Sequence, residues 1–132
     1  MNIEIRDTHE FSEADLAQLF LSVGWESGKY PDRLRIAMQH YESVFSAWDG
    51  DRLVGLVSVM DDGVMNAYIQ YVLVDPEYQH MQIGSRLLNN VSEHYRDFIR
   101  IVLIAYSDKV PFYEACGFAR GENKTPMFIE HM

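Results

Sequence analysis

The fold of this chain is decided by one stretch, which reads Tyr71-Val72-Leu73-Val74-Asp75-Pro76-Glu77-Tyr78-Gln79-His80-Met81-Gln82-Ile83-Gly84-Ser85-Arg86-Leu87-Leu88. Its apolar first part ends at Asp75-Pro76, a polar loop follows, and apolar residues then recur at helical spacing at Ile83, Leu87, Leu88, Val91 and Tyr95. The pattern predicts a strand, a loop and a helix. The first turn of such a helix has backbone N–H groups without intrahelical partners and the positive end of the helix dipole, so it can bind a phosphate group. Gly84 in this turn lets a ligand come close.

A second motif lies near the C-terminus and reads Phe112-Tyr113-Glu114-Ala115-Cys116-Gly117-Phe118. In this motif, in the Val-Asp-Pro-Glu-Tyr-Gln sequence of residues 74–79, and in the Ser-Arg-Leu-Leu of residues 85–88, the chain resembles the Gcn5-related N-acetyltransferases. The loop of that family reads Gln/Arg-x-x-Gly-x-Gly/Ala, which matches Gln79 and Gly84 here. Gln82 stands at the first glycine position, and its Cβ restricts the backbone angles in a way that glycine does not.

The resemblance implies an α/β (α+β) fold in one domain that covers residues 1–132. The core of this fold would be a mixed, mostly antiparallel sheet of six or seven strands, with strands four and five parallel and splayed apart. About four helices would flank the sheet.

Apolar periodicity and turn residues locate the elements along the chain. We expect strands at residues 2–6, 44–48, 53–60, 66–74, 101–105 and 127–130, and helices at residues 12–23, 32–42, 107–116 and from 83 to between 95 and 98. The run 101–105 is continuously apolar, which is typical of a strand buried on both faces. Within 66–74, strict alternation groups Ala67, Ile69, Tyr71 and Leu73 on one face.

The resemblance also implies acetyl-CoA as the acyl donor. Its pantetheine arm would lie in the opening between strands four and five and pair with the backbone of Val72 and Val74. The N–H groups of residues 79–85 would hold the pyrophosphate. The expected cofactor-binding residues are Val72, Leu73, Val74, Gln79, His80, Met81, Gln82, Ile83, Gly84, Ser85, Lys109 and Phe112.

For the chemistry, the resemblance implies direct attack of an amine on the thioester in a ternary complex. Tyr113 matches the tyrosine that gives a proton to the departing thiolate, a task that suits a phenol whose pKa near ~10 keeps it protonated at neutral pH. The backbone N–H of Leu73, or of a close neighbour, is the expected donor to the carbonyl oxygen. Cys116 is expected to be structural, because no His-Asp pair is spaced to activate it.

The base that deprotonates the amine has no decisive motif. Glu26, His40, Asp61, Asp62 and Tyr68 are all candidates, of which Glu26 is our choice for the acceptor side of the site. Asp61 and Asp62 are also ordinary turn residues before a glycine. The loop at residues 25–31 contains two aromatic and two charged residues, and it either lines a site or covers the edge of the core.

The charge of the chain indicates which classes of molecule it can bind. The net charge is −9, with twelve Asp and Glu against five Lys and Arg in residues 1–62, and eight against six in residues 63–132. This charge argues against nucleic acid and favours a small cationic amine, although surface acid can also serve solubility alone.

The sequence predicts neither a membrane span nor a set of Cys and His residues at metal-ligand spacing. With one cysteine, a reducing cytoplasm is the expected location, and a homodimer is compatible with the sequence. The alternative to an enzyme is a non-catalytic acyl-CoA-binding module that senses the cofactor or contacts a partner. The departure at Gln82 favours the module, and Tyr113 favours the enzyme.

Overall fold

The computed structural model describes residues 2–131, which form one five-stranded sheet with helices on both faces. The strands are β1 (Ile3–Asp7), β2 (Ser43–Asp49), β3 (Arg52–Asp61), β4 (Asn66–Val74) and β5 (Arg100–Leu103). The helices are α1 (Glu13–Ser22), α2 (Pro31–His40), α3 (Ile83–His94) and α4 (Val110–Ala115), and 3₁₀ turns occupy Glu26–Lys29, Pro76–Tyr78 and Ser107–Lys109.

The sheet has the order β1-β2-β3-β4-β5, with β1 to β4 antiparallel and β5 parallel to β4. The predicted parallel pair and the four helices are therefore present, but the predicted count of six or seven strands is wrong. The expected strand at residues 127–130 is missing because, within residues 2–131, this segment pairs with no strand, and a strand requires a neighbour to satisfy its backbone.

Two apolar layers hold the helices to the sheet. On one face, α3 packs through Ile83, Leu87 and Val91. Its first turn lies close to β3, because a Cβ built on Gly55 would stand 3.0 Å from the Cγ2 of Ile83. On the other face, α1 and α2 pack against β2, β3 and the second half of β4, and the buried residues there include Leu16, Leu19, Phe20, Met38 and Leu56.

Strand β4 contains a bulge at Gln70. Ser58 of β3 pairs with Tyr71 and Val59 pairs with Ile69, so that Gln70 is an extra residue on β4. The extra residue reverses the alternation: Ile69 packs on the α3 face, whereas Tyr71 and Leu73 pack on the α1 face. The predicted common face from 67 to 73 is therefore wrong, since a bulge adds one residue to a period of two.

Strand β5 is covered on one face only. Ile101 and Leu103 pack against the α3 layer, whereas Val102 and Ile104 on the opposite side are 38% and 46% exposed. The prediction of burial on both faces fails because α1 lies over β3 and β4 and leaves the outer strand open.

The phenol of Tyr95 links three elements of this fold, and we expect Tyr95→Phe to lower the free energy of unfolding by about 1–3 kcal/mol. The Tyr95 hydroxyl lies 2.7 Å from the Ser43 hydroxyl and donates to Asp61 at 2.7 Å, so its removal breaks two short hydrogen bonds, one of them to a buried group. Urea unfolding measures the change. The exposed Tyr30 provides the control, and an equal loss in Tyr30→Phe would contradict this role of Tyr95.

Candidate active site

The bulge at Gln70 opens a gap between β4 and β5. In the described sheet the two strands pair through Asn66–Ile69 and Arg100–Leu103, so residues 71–74 have no strand partner on the β5 side. The gap lies directly before the loop that the sequence assigns to phosphate binding. It therefore leaves backbone hydrogen-bonding groups of β4 open to a ligand.

The direction of each amide along this part of β4 follows from one hydrogen bond. The Asp75 N–H donates to the Val54 carbonyl at 2.8 Å, and amides point to alternate sides along a strand. The Leu73 N–H therefore points toward β3, and the backbone groups of Val72 and Val74 point toward the gap. The sequence names the N–H of Leu73, or of a close neighbour, as the donor to the thioester carbonyl oxygen. The N–H of Leu73 points away from the gap, whereas the N–H of its neighbour Val72 points into the gap and can donate there.

The loop of residues 79–82 follows β4, is named the phosphate loop for its predicted role, and presents backbone N–H groups at the start of α3. His80 and Gln82 have the left-handed φ values of 68° and 62°, and Gln82 is the N-cap residue without a side-chain hydrogen bond to the helix. The first turn of α3 contains no acidic residue, whereas α1 is capped by Ser12 and has two acidic residues in its first turn. The N–H groups of Ile83, Gly84 and Ser85 are thus free of competing carboxylates and can bind an anion.

The turn between β4 and this loop is fixed by the buried carboxylate of Asp75. Asp75 accepts a hydrogen bond from the Glu77 N–H at 2.9 Å and forms an ion pair with Arg52 at 2.9 Å. The Tyr78 hydroxyl donates to Asp49 at 2.6 Å, which ties the end of the same turn to β2. Sequence reasoning missed Arg52, although the Asp-Pro pair at the end of β4 indicates a carboxylate that caps a turn.

The two sequence motifs contact each other at Gly84. A Cβ on Gly84 would lie 3.0 Å from the Cζ of Phe112, so the missing side chain makes room for the Phe112 ring. Phe112 in turn packs edge-on against Tyr113, with ring centroids 5.1 Å apart. Gly84 thereby fixes α4, and with it Tyr113, against the start of α3.

Tyr113 is half-buried in the same apolar layer as Val72 and Val74. Burial, with a smaller contribution from the nearby Cys116, raises the pKa of Tyr113 to about 12. The phenol therefore stays protonated at neutral pH, as a proton donor must, although the raised pKa also makes it a weaker acid than an ordinary tyrosine. Cys116 is half-buried in the same layer.

An aromatic cluster, composed of Trp25, Tyr41, Tyr71 and Tyr106, lies on the α1 side of the gap. The Trp25 ring lies 6.1 Å from Tyr71 on β4 and 6.2 Å from Tyr106 just beyond β5, and Tyr41 lies 6.3 Å from Tyr71. The loop containing Trp25 therefore bridges the two strands where they diverge. Aromatic faces arranged in this way attract cations.

The aromatic cluster also contains polar groups. The hydroxyls of Tyr71 and Ser27 lie 3.4 Å apart, and burial raises the pKa of Tyr41 to about 12, which keeps its hydroxyl a neutral donor. Beneath the cluster, Ser58 is fully buried opposite Tyr71, and its hydroxyl lies close to the Tyr41 hydroxyl. Sequence reasoning placed Trp25 in a candidate loop but missed Tyr71 and Tyr106, because only the fold brings them together.

The candidate bases are distributed over the molecule. Glu26 follows Trp25 directly, but it is exposed and paired with Lys29 at 3.1 Å. Asp61 and Asp62 lie at the end of β3, beside the start of β4 and about 20 Å from Val74 along the strand.

Asp62 accepts hydrogen bonds from three backbone N–H groups, those of Val64, Met65 and Asn66, which hold the pKa of Asp62 well below its usual range. Asp61 accepts from the Gly63 N–H at 2.7 Å, so both carboxylates act as turn residues.

Four further predicted residues lie on the surface. Tyr68 is half-buried in a shallow cavity of about 370 Å³ beside Asp61 and Asp62. His40 is exposed at the end of α2, Lys109 is exposed next to the start of α4, and His80 is exposed in the phosphate loop. Of these, only His80 and Lys109 belong to the segments that flank the gap.

In the described part of the chain, no three His, Cys, Asp or Glu side chains are arranged to hold a metal ion. None of the helices within residues 2–131 has the length and apolarity to cross a membrane.

Comparisons with known proteins agree with this architecture. The model of the acetyltransferase (GNAT) family matches residues 9–118. The chain is 28% identical to the N-acetyltransferase ycf52 of Porphyra purpurea over 126 residues, which cover 90% of this chain and 71% of that protein. It is 30% identical to serotonin N-acetyltransferase 2 of Oryza sativa subsp. japonica over 110 residues, which cover 79% of this chain and 54% of that protein.

A solved structure shows the same fold. The GNAT family acetyltransferase of Streptococcus pneumoniae TIGR4 matches this chain with a TM-score of 0.84 and 27% sequence identity, and the match covers 98% of each chain.

The left-handed backbone at Gln82 leads to a stability prediction. A residue with a Cβ pays about 1–2 kcal/mol in this conformation, so we expect Gln82→Gly to raise the free energy of unfolding by about 1 kcal/mol. Gln79 is the matched control: its φ is −69°, so Gln79→Gly gains nothing and should be neutral or destabilising. Urea unfolding of both variants checks this, and a loss of stability in Gln82→Gly would show that the Gln82 side chain itself stabilises the loop.

Proposed function

The chain belongs to the acetyltransferase (GNAT) family, and we propose that it transfers an acetyl group from acetyl-CoA to a small, cationic primary amine by direct attack in a ternary complex. Family membership and the N-acetyltransferase relatives support acyltransferase activity. The observation that carries the proposal is the gap between β4 and β5, with an anion-binding helix start on one side and the aromatic cluster on the other.

The donor would occupy the gap from the α3 side. The backbone groups of Val72 and Val74 face the gap and match the alternating amides of a pantetheine arm. The N–H groups from Gln79 to Ser85 would hold the pyrophosphate at the end of the α3 dipole. Phe112 packs against Gly84 at this point, and Lys109 is the N-cap residue of α4.

In the proposed reaction, the neutral amine attacks the thioester carbon and a C–N bond forms. The carbonyl oxygen gains negative charge, which the Val72 N–H stabilises in place of Leu73. The C–S bond then breaks, and Tyr113 donates its proton to the departing sulfur. The proton that the amine loses passes to Glu26 or to water.

The aromatic cluster and the acidic N-terminal half support a cationic acceptor. Residues 1–62 contain twelve Asp and Glu against five Lys and Arg. A protonated amine is attracted by that charge and by the faces of Trp25, Tyr71 and Tyr106. The rice relative is called a serotonin N-acetyltransferase, and serotonin belongs to the proposed class, because a two-carbon chain joins its basic primary amine to an indole ring.

A panel of amines tests the acceptor class. With acetyl-CoA as donor, release of the free thiol is measured for serotonin, putrescine, spermidine, the weakly basic aniline and a lysine-containing peptide. We expect turnover with the small cationic amines. Turnover with the peptide alone, or best turnover with aniline, would contradict the proposed acceptor class.

We expect Tyr113→Phe to lower kcat by about 100-fold or more, the usual scale for a lost general acid, because the variant keeps the ring but lacks the proton. Acetyl-CoA affinity and thermal stability should change little. Steady-state rates and calorimetric titration of both proteins measure these effects. Undiminished turnover would remove Tyr113 from the mechanism, and donor binding without turnover in the parent protein would favour the non-catalytic acyl-CoA-binding module.

Loss of the Trp25 ring, which bridges the gap, should weaken binding of the acceptor amine. We expect Trp25→Leu to raise the Michaelis constant of the best amine by about 5- to 30-fold, since cation–π contacts contribute up to about 2 kcal/mol, while acetyl-CoA affinity is retained. Tyr30→Leu is the control, because Tyr30 belongs to the same loop region but lies under Arg33, outside the aromatic cluster. Equal effects of the two substitutions on the Michaelis constant would contradict the assignment.

A further inference from the structure

Arg52, at the start of β3, contacts the turn that leads from β4 into the phosphate loop. Its Nη2 donates to Asp75 at 2.9 Å and to Glu77 at 3.0 Å, and its guanidinium carbon lies 5.1 Å from the centroid of the Tyr78 ring. These three partners belong to the 3₁₀ turn Pro76–Tyr78 or directly precede it. One side chain from β3 therefore contacts the turn at both of its ends.

The same turn is attached to the hairpin between β2 and β3 at a second point. The Tyr78 hydroxyl donates to Asp49 at 2.6 Å, and Asp49 pairs with Arg52 where the hairpin closes. Arg52, Tyr78 and Asp49 thus form a closed ring of contacts, in which a guanidinium over an aromatic face adds to the hydrogen bonds. The end of the hairpin is therefore a fixed support for the turn.

Burial shows which of the two ion pairs of Arg52 matters. The Asp75 side chain is 4% exposed, whereas the Glu77 side chain is 71% exposed. An exposed pair contributes little, but a buried carboxylate that loses its partner is strongly destabilising. Asp75 also accepts from the Glu77 N–H at 2.9 Å and donates its own N–H to the Val54 carbonyl. Loss of Arg52 would therefore act through Asp75 on the turn that Asp75 caps.

The phosphate loop, which follows this turn, needs such support. His80 and Gln82 have φ values of 68° and 62°, which residues with a Cβ avoid. The end of the loop is fixed because the next residue, Ile83, is 2% exposed in the α3 layer. The start of the loop depends on the turn that Arg52 contacts. A loop that already has the binding conformation when the ligand is absent pays no ordering cost on binding.

We propose that Arg52 is a positioning residue for the acyl donor. Acting through Asp75, Arg52 keeps the phosphate loop and the first turn of α3 in the conformation that presents their N–H groups to the donor pyrophosphate. The Nη2 of Arg52 is already shared by two carboxylates, so Arg52 acts on the donor through the loop rather than by direct contact. The inference rests on the proposed function, because it takes acetyl-CoA as the donor.

Calorimetric titration with acetyl-CoA tests this role. Arg52→Met keeps an apolar stem and removes the guanidinium, and we expect the dissociation constant to rise about 5- to 30-fold, since the strained loop is then free to relax. Arg35→Met is the matched control, because Arg35 also pairs with a carboxylate, that of Glu13 at 3.4 Å, but lies on α2. It removes the same charge and should change the constant by less than about twofold. No change in Arg52→Met, or an equal change in Arg35→Met, would overturn the proposal.

Steady-state kinetics with the best amine of the panel separate positioning from a general loss of structure. In Arg52→Met, the Michaelis constant of acetyl-CoA should rise with the dissociation constant. At saturating acetyl-CoA, kcat and the Michaelis constant of the amine should stay within about twofold of the parent values, because the proposed acid and the aromatic cluster lie outside the ring of contacts around Arg52. A parallel loss of kcat and amine binding would show that Arg52 only stabilises the fold.

A double-mutant cycle tests whether Arg52 acts through Asp75. Asp75→Asn removes the charge but keeps a side-chain oxygen that can accept from the Glu77 N–H. In this background Arg52→Met should raise the dissociation constant by less than about threefold, because the buried carboxylate that it would leave unpaired is absent. The full effect in this background would show that Arg52 acts by another route, and the proposal would be wrong.

The titrations also separate this inference from the proposed function. If the parent chain does not bind acetyl-CoA, the proposed function is wrong and the inference is wrong with it. If the parent chain binds acetyl-CoA but acetylates no amine, the proposed enzymatic activity is rejected, and the comparison of Arg52→Met with Arg35→Met still decides the role of Arg52. If the parent chain binds and acetylates, and Arg52→Met does so with unchanged constants, only the inference is wrong.

Discussion

The bulge at Gln70 is the constraint on which the candidate site depends. Because one extra residue enters β4, the strand turns its side chains over between Ile69 and Tyr71 and leaves β5 after four paired residues. Both effects are needed: the separation exposes the backbone of Val72 and Val74, and the reversal brings Tyr71 to the side where Trp25 can reach it. A regular β4 would continue to pair with β5, and the gap would close.

The two sides of the gap are held rigid by interactions outside it. Arg52 and Asp75 fix the turn that leads from β4 to the phosphate loop, and Gly84 admits the Phe112 ring that fixes α4. The contact between Gly84 and the Phe112 ring therefore links the phosphate loop to Tyr113, the proposed acid. The contact joins two motifs that are distant in the sequence, since Gly84 and Phe112 lie 28 positions apart.

Local sequence signals predicted the helices and turns correctly. They failed for features that depend on contacts between distant parts of the chain. The four helices, the hairpin between β2 and β3 and the helix start at Ile83 follow from periodicity, turn residues and caps. The bulge was missed because the residues on both sides of Gln70 continue the same alternation in the sequence, so nothing in the pattern marks Gln70 as an extra residue. The continuous apolar run at 101–105 suggested two covered faces, but whether a helix lies above β5 depends on where α1 and α2 pack. The aromatic cluster was missed for the same reason, since Trp25, Tyr71 and Tyr106 come from three separate segments.

In the phosphate loop, two residues other than glycine adopt a backbone conformation that favours glycine. His80 and Gln82 both adopt left-handed φ values although neither is glycine, a conformation that costs such residues about 1–2 kcal/mol each. A loop free to relax would avoid that cost, so the surrounding structure must impose it. The Asp75 turn fixes one end of the loop, and the packing of Ile83 and Leu87 on Gly55 fixes the other. The fixed loop therefore leads into the first turn of α3, whose backbone N–H groups can bind an anion whichever side chain stands at position 82.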